Sequence, residues 1–254
     1  MTHKIILDTD PGIDDAMAIL FAEAHPAIDL LAITTVFGNA TIENGTRNAL
    51  WLKQKYGMRA EVAQGAAAPL LREPVGPTTV VHGPSGLGDV EAGEVTLTPD
   101  PRPAWQYIVE TLKANPGEIT LVTIGPLTNL ALALEAAPEI TSLVKQVVVM
   151  GGAFGVNGHR GNVTPYAEAN IHDDPEAADR VFTAPWPVVI IGLDVTQQSF
   201  FSSAYLDALR DDAGEPGRFL WEVSRFYLRF YSERIGLDGC HVHDPSAKAD
   251  VIDP

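Results

Sequence analysis

The most restrictive pattern in this chain is residues 5–16, where an apolar run, a Pro-Gly turn and an apolar-periodic helix follow one another. The run predicts a buried strand that ends at Asp8, with the helix starting after the turn. Four aspartates, Asp8, Asp10, Asp14 and Asp15, therefore surround one strand-to-helix turn. Open α/β folds bind ligands at this edge of a parallel sheet, and a divalent cation relieves repulsion among carboxylates. The sequence thus indicates a site for a hard, oxygen-binding cation.

A simpler interpretation covers part of this pattern. An aspartate at a helix N-terminus caps the helix and complements its dipole, which accounts for one or two of the four without any chemistry. It does not account for all four, so a cation or catalytic site remains the favoured interpretation.

The alternation of strand and helix patterns predicts an α/β fold, an open and mostly parallel sheet with helices on both faces. Predicted strands cover residues 4–8, 28–36, 119–124, 144–150 and 188–195. Predicted helices cover residues 16–24, 41–56, 104–114, 203–210 and 215–235, with two more ending near 136 and starting at 174. Residues 65–103 lack periodicity. At 254 residues and 46% hydrophobic content, we expect a single domain over 1–254.

Charge and cysteine content restrict the partners and the compartment. A net charge of -16, with 17 basic against 33 acidic residues, disfavours nucleic acid or an anionic membrane as a partner. The single cysteine, Cys240, excludes an internal disulfide and is compatible with a reducing cytoplasm. The first strand begins at Lys4, which leaves no room for a secretory segment, and no stretch is apolar enough to span a bilayer. We therefore predict a cytoplasmic protein.

Further polar residues follow the other predicted strands. Asn39 comes after the second strand and shares the sheet edge with Asp10, although an ordinary turn asparagine would look the same. His82 is followed by Gly83 and Gly86 in the long irregular segment, where a solvated histidine is the plainer interpretation. The segment Cys240-His241-Val242-His243 could suggest zinc or a cysteine nucleophile, but the usual metal spacings are absent.

The segment from Asp8 to Ala16, Asp-Thr-Asp-Pro-Gly-Ile-Asp-Asp-Ala, resembles the signature of the inosine-uridine preferring nucleoside hydrolases. Other segments match that family in the same order and extend the resemblance over nearly the whole chain: Phe37-Gly38-Asn39, His82-Gly83, Gly125-Pro126-Leu127-Thr128-Asn129, Met150-Gly151-Gly152, Gly161-Asn162, Ala167-Glu168, Asp174-Pro175-Glu176 and His243-Asp244-Pro245.

The resemblance implies calcium-dependent hydrolysis of the N-glycosidic bond of ribonucleosides by a protein that forms dimers or tetramers. It implies that Ca²⁺ is held by the carboxylates of Asp10, Asp15 and Asp244 and by the backbone carbonyl of Ile124. By the same resemblance, the ribose hydroxyls are held by Asp14, Asn39, Asn162, Glu168, Asn170 and Asp244. His82 and His243 match histidines beside the base, and Tyr227 and Tyr231 are similar to tyrosines that close over it. Two aromatic residues four apart on a helix are also common in plain cores.

Two departures from the family pattern stand out. Ala169 lies where relatives often carry phenylalanine, so packing around the sugar or base would be looser or filled by another residue. The chain also ends at residue 254, and we expect it to lack the family's C-terminal strands and closing helix.

Cleavage of an N-ribosyl bond passes through a cationic sugar, so it needs a nucleophilic water, charge stabilisation and help for the departing base. Asp10 is the expected general base toward a calcium-activated water, and His243 is the expected acid toward a purine. The alternative role for His243 is to orient Asp244. Histidines instead of tryptophans beside the base favour the inosine-uridine type over the purine-specific type.

Two rival functions are left open by the sequence. A haloacid-dehalogenase-type phosphatase would use Asp8 as its nucleophile and Mg²⁺ as its ion, although Pro11-Gly12 and Asp14-Asp15 fit that pattern poorly. A calcium-dependent nucleoside or ribose sensor would keep the binding residues without turnover.

Overall fold

Six parallel strands form an open sheet in the computed structural model, which describes residues 2–253 apart from the side chain at position 157. The strands are β1 His3–Thr9, β2 Ile28–Thr35, β3 Glu61–Gln64, β4 Ile119–Thr123, β5 Gln146–Met150 and β6 Val188–Ile191. Their spatial order is β3-β2-β1-β4-β5-β6, and every neighbouring pair is parallel. Apolar runs buried on both faces are typical of such strands. The predicted α/β fold class is confirmed.

Helices and one small antiparallel strand pair complete the chain. The helices are α1 Ile13–Ala24, α2 Ile42–Tyr56, α3 Thr79–His82, α4 Ala104–Ala114, α5 Thr128–Ala136, α6 Ala169–Asp173, α7 Pro175–Thr183, α8 Leu193–Thr196, α9 Ser203–Asp212, α10 Gly214–Ile235 and α11 Asp244–Ile252. The antiparallel pair is β7 Phe200–Ser202 and β8 Gly239–His241. No helix in the described part of the chain is long and apolar enough to cross a membrane.

Two hydrophobic layers cover the two faces of the sheet. Ile5 and Leu7 of β1 point into a layer with α1, α2, α10 and α11, whereas Ile6 points into a layer with α4, α5 and α7. This split follows from the strand geometry, because successive side chains alternate between faces. Helices therefore lie on both faces, as the sequence predicts.

The sequence prediction was wrong at one strand and missed several short elements. The strand predicted over 188–195 ends at Ile191, and Leu193 begins α8 instead. An apolar run of this length does not distinguish a strand from a short helix. Strand β3, helix α3 and helix α11 were not predicted. Pro254, the last residue of the predicted domain, lies outside the described residues, so the single-domain boundary stays a prediction.

The strand order fixes where a ligand can bind. From β1 the chain proceeds to β2 and β3 on one side, and then returns to β4, β5 and β6 on the other. The loops after β1 and β4 therefore diverge, which opens a crevice at the carboxyl edge of the sheet. The two strands are held together up to this edge, where the Ile124 amide donates to the Asp8 carbonyl at 2.8 Å. Asp10 and Ile124 thus lie at the crevice.

Candidate active site

The turn between β1 and α1 is held by Asp15. Its carboxylate accepts hydrogen bonds from the Thr9 hydroxyl at 2.5 Å, the Gly12 amide at 2.9 Å and the Asn39 side-chain amide at 2.9 Å. The bond to Gly12 satisfies a free amide at the helix start, so helix capping describes part of what Asp15 does. The bond to Asn39 ties the turn after β1 to the turn after β2.

Asp10 is buried, with one carboxylate oxygen held and the other free. Its Oδ2 accepts the Asn39 backbone amide at 2.7 Å, whereas its Oδ1 has no hydrogen-bond partner among residues 2–253. A Cβ at Gly125 would lie 2.8 Å from that Oδ1, so glycine allows the two turns to approach each other. Burial and the charge of Asp15 raise the pKa of Asp10 well above its usual value.

Acidic side chains from the two ends of the chain meet beside Asp10. Carboxylate oxygens of Asp14, Asp15 and Asp244 lie within 4.8 Å of one another, and all three residues are buried. Burial, and next Asp15, raise the pKa of Asp14 to about 7. Burial, and then Asp14, Asp15 and Asp10, raise the pKa of Asp244. We call Asp10, Asp14, Asp15 and Asp244 the acidic floor.

Two observations indicate that the acidic floor could hold a divalent metal ion. Asp10 Oδ1 and Asp14 Oδ1 are buried without a hydrogen-bond partner in the described structure, and such oxygens are costly unless a cation or proton satisfies them. The atoms that could ligate the ion are all carboxylate oxygens, and hard cations prefer oxygen ligands. Within residues 2–253, Asp14, Asp15 and Asp244 form the cluster of ligating side chains that could hold an ion, and Asp10 is not a member of that cluster.

The loop before α6 supplies a second polar group. Glu168 accepts the backbone amides of Gly152, Asn170 and Ile171, and burial raises its pKa to about 7. The Asn170 side-chain amide donates to the carbonyls of Ile124 and Met150 at 3.1 and 3.2 Å. These bonds fix the loop to the ends of β4 and β5. Exposed Asn162 accepts the Ala169 amide at 3.0 Å, so it shapes the same loop.

His82, His243, Tyr227 and Tyr231 border the acidic floor, and we call them the imidazole-tyrosine wall. His82 Nδ1 lies 4.0 Å from Asp14 Oδ1. His82 Nδ1 accepts the Ile13 amide at 3.1 Å, so its proton resides on Nε2. A Cβ at Gly12 would lie 2.5 Å from that Nδ1, which explains the glycine there. Burial lowers the pKa of His82 to about 4.

His243 is enclosed by two hydroxyl groups. Its Nδ1 lies 2.8 Å from Thr196 Oγ1, and its Nε2 lies 3.2 Å from the Tyr231 hydroxyl. Burial, and next His241 and His82, lower the pKa of His243 to about 3. The imidazole is therefore neutral at neutral pH. Tyr227 and Tyr231 are buried and pack edge to face, with ring centres 4.9 Å apart.

A cleft of about 620 Å³ is bordered by residues of both the floor and the wall. It is lined by most of the site residues predicted from the sequence, namely Asp14, Asn39, His82, Ile124, Asn162, Glu168, Asn170, Tyr227, Tyr231, His243 and Asp244. Asp10 and Asp15 lie behind this lining, and both accept hydrogen bonds from Asn39. The structure thus brings the predicted residues together from distant parts of the chain.

Sequence reasoning missed several residues that also line the cleft, among them His172, Asp173, Gln197 and His241. Asp173 is the most notable, because burial raises its pKa and its charge acts on both Asp10 and Glu168. It follows Asn170 by three residues, a spacing that places both on one helix face. That spacing could have identified it once a helix was expected there.

Two residues singled out as possible nucleophiles lie elsewhere. Cys240 is fully buried in the hydrophobic core, and burial raises the pKa of its thiol to about 12. Asp8 is 2% exposed, accepts the Thr34 hydroxyl and the Asn129 amide, and does not line the cleft. A buried thiol is inert, and the hydrogen bonds from Thr34 and Asn129 hold Asp8 within the sheet interior.

A doubly wound parallel sheet with a carboxylate-lined cleft at its switch point defines the class, an α/β enzyme acting on a small polar ligand. The family model described as "Inosine-uridine preferring nucleoside hydrolase" matches residues 5–254. The chain belongs to that family. It is therefore a nucleoside hydrolase, a glycosidase acting on ribonucleosides, and the phosphatase interpretation is wrong.

Relatives with different named preferences are similar to this chain. The pyrimidine-specific ribonucleoside hydrolase RihB of Escherichia coli is 40% identical over 252 residues, which cover 99% of this chain and 79% of RihB. A plant nucleoside hydrolase structure, PpNRh1, has a TM-score of 0.96 and 39% identity, covering 100% of this chain and 80% of that one. A purine-preferring ribonucleoside hydrolase from Gardnerella vaginalis has a TM-score of 0.94 and 36% identity, covering 99% and 80%.

Proposed function

We propose that this protein hydrolyses the N-glycosidic bond of ribonucleosides to ribose and free base, with Ca²⁺ in the acidic floor and Asp10 as general base. The observation that carries the proposal is the free Asp10 Oδ1, which is buried behind the cleft lining and near enough to Asp244 for the charge of Asp10 to raise the pKa of Asp244. This oxygen has a raised proton affinity and no competing partner within the described residues.

The residues that would hold the ion are Asp10, Asp15, Asp244 and the Ile124 carbonyl. An all-oxygen set of carboxylates and a carbonyl favours Ca²⁺ over Zn²⁺, which prefers nitrogen and sulfur ligands. Bound there, the ion would supply Lewis acidity and attract the oxygen atoms of water and of a ribose diol.

Asp10 would take the proton of the attacking water on Oδ1. Because Asn39 holds Oδ2 at 2.7 Å, the carboxylate is fixed in one orientation. A base works best when its pKa lies near the working pH, and burial shifts the pKa of Asp10 in that direction. Such a base contributes about 10²–10⁴-fold to a rate.

The sugar would lie between the floor and the loop before α6. Asp14 and Glu168 offer carboxylate oxygens to ribose hydroxyls, and Asn39, Asn162 and Asn170 offer amides. These contacts would fix the ring, and the negative potential of the buried acids favours the positive charge that develops on the sugar.

The base would lie against the imidazole-tyrosine wall. Because His243 is neutral, it would help the base to leave as a neutral hydrogen-bond donor in concert with Tyr231, and not as an imidazolium. The alternative, in which His243 only orients Asp244, predicts no difference between purine and pyrimidine substrates. The relatives named above include both pyrimidine-specific and purine-preferring enzymes, so base preference is left to experiment.

The test is release of reducing sugar from inosine, adenosine, uridine and cytidine by protein treated with a chelator and then supplied with Ca²⁺, Mg²⁺ or Zn²⁺. We expect turnover only after a divalent ion is restored, and the highest rate with Ca²⁺. Calorimetric binding of a nucleoside without sugar release would instead indicate the sensor function. The oligomeric state and cytoplasmic location expected from the sequence stay predictions.

A further inference from the structure

Lys248 is a fully buried lysine next to the acidic floor. Its exposed fraction is 0%, although lysine is almost never found without solvent contact. Its Nζ atom has no hydrogen-bond partner in the described part of the chain, and no carboxylate oxygen there forms an ion pair with it within 4 Å. An ammonium group without direct partners is costly to bury, so its position calls for an explanation.

The fold places Lys248 behind the floor, away from the cleft. It follows Asp244 by four residues on α11, so both side chains lie on one face of that helix. Helix α11 packs against α1, which carries Asp14 and Asp15, and against β4 and β5. Lys248 is not among the residues that line the cleft. A nucleoside in the cleft would therefore not contact it.

The charges that act on Lys248 are those of the floor. The carboxylates of Asp244, Asp15 and Asp14 favour its protonated form, whereas burial, the larger effect, lowers the pKa of Lys248 to about 7. Buried charges interact strongly because little water lies between them to screen them. One ammonium group therefore offsets part of the negative charge of Asp14, Asp15 and Asp244.

The same charge has the opposite effect when a divalent ion is present. An ion held by Asp15 and Asp244 would already neutralise the floor, and the nearby ammonium group would then repel it. Removal of that group should strengthen ion binding and leave the ion-free floor with greater internal repulsion.

We propose that Lys248 is an internal counter-cation of the acidic floor, which stabilises the floor without a divalent ion and weakens the binding of that ion. The inference rests on the metal site in the proposed function. Lys248 is a positioning residue, because it acts through the floor carboxylates and does not line the cleft. It sets how tightly the protein holds its ion.

The test uses Lys248→Met, which keeps most of the side-chain volume and removes the charge. Chelator-treated protein is titrated with Ca²⁺ and with Mg²⁺ by calorimetry at one fixed pH, and its melting temperature is measured in chelator and in saturating Ca²⁺. We expect Ca²⁺ to bind at least about tenfold more tightly to the variant. We also expect a lower melting temperature in chelator, and a larger rise on adding Ca²⁺.

Lys113→Met is the matched control, because Lys113 is exposed on α4 and pairs with Glu139 on the surface. It removes the same charge and should leave ion affinity unchanged. Equal or weaker Ca²⁺ binding by Lys248→Met would overturn the role of Lys248 while leaving the metal site intact. A variant that stays unfolded in saturating Ca²⁺ would also overturn it, because the lysine would then be needed for packing. If the unaltered protein binds neither ion, the proposed metal site itself fails.

Discussion

The acidic floor and the imidazole-tyrosine wall border one cleft, and burial shifts the pKa values of their side chains in opposite directions. In the floor, burial raises the pKa values of Asp10, Asp14 and Asp244, and in the wall it lowers those of His82 and His243. Both shifts favour the neutral form, because a low-dielectric interior penalises charge. The histidines lose nothing by this and remain hydrogen-bonding groups. The aspartates need a cation to stay ionised.

The floor and the wall also differ in whether the protein itself supplies hydrogen-bond partners for their polar atoms. The histidines of the wall find their hydrogen-bond partners within the protein. Both nitrogens of His243 lie near hydroxyl groups, and His82 accepts the amide of Ile13. The floor keeps free oxygens on Asp10 and Asp14, which mark where a ligand completes it. We therefore expect changes in the floor to affect every substrate, and changes in the wall to depend on the base.

The largest expected effect is from Asp10→Asn in the floor. Asparagine has the same shape and can still accept the Asn39 amide, but it cannot take a proton from water. We expect kcat to fall about 10³-fold on both inosine and uridine, within the 10²–10⁴ range of a general base. Steady-state kinetics in saturating Ca²⁺ measure this loss, and circular dichroism checks that the variant is folded.

Asp8→Asn is the control for Asp10→Asn, since it makes the same chemical change two residues earlier. Asp8 lies behind the cleft and holds Thr34 and Asn129, so its replacement should alter stability far more than kcat. Retained activity in Asp10→Asn would remove Asp10 from the role of base. An equal loss of kcat in both variants would show that kcat responds to the loss of any buried carboxylate near this turn, and not to a proton-accepting role of Asp10.

The sequence was most informative about the floor and least informative about its surroundings. Asp10, Asp14 and Asp15 could be assigned to one turn because Pro11 and Gly12 mark that turn locally. The meeting of Asp14 with Asp244 depends on how α11 packs against α1, which no local pattern contains. The family resemblance instead placed Asp244 with Asp10 and Asp15 around an ion, and with Asp14 among the residues that hold the ribose. The burial of Lys248 was not foreseen, since in the sequence it is an ordinary lysine on a helix that was not predicted.

The second prediction concerns the wall and the effect of pH on stability. The pKa of His82 is about 4 in the folded protein, against about 6.5 in an unfolded chain. The unfolded chain therefore binds this proton first, so stability is complete above about pH 6.5 and falls as the pH drops toward 4. The full pKa shift of His82 would lower the free energy of unfolding by on the order of 3 kcal/mol once the pH is below both pKa values. Urea unfolding at pH 7.5, 6, 5 and 4.5 measures it.

His82→Gln isolates this contribution, because a glutamine oxygen can accept the Ile13 amide without titrating. We expect the variant to lose less stability than the unaltered protein between pH 7.5 and 4.5. The difference should grow steadily as the pH falls. Parallel stability curves for the two proteins would mean that His82 binds a proton equally well when folded, and that the wall is not restricted to neutral imidazole.

The smallest expected effect is also the one that best separates floor from wall, and it comes from His243→Ala. If His243 and Tyr231 together donate a hydrogen bond to a departing purine, the variant should lose more activity on inosine than on uridine. We expect the ratio of the two kcat/KM values to change about tenfold, or about 1.4 kcal/mol.

Thr196→Val keeps the imidazole but removes the hydroxyl beside Nδ1, so it should shift the ratio in the same direction by less. Equal losses on both substrates would instead assign His243 to the floor, as the residue that orients Asp244, because an effect on the ion site does not distinguish one base from another.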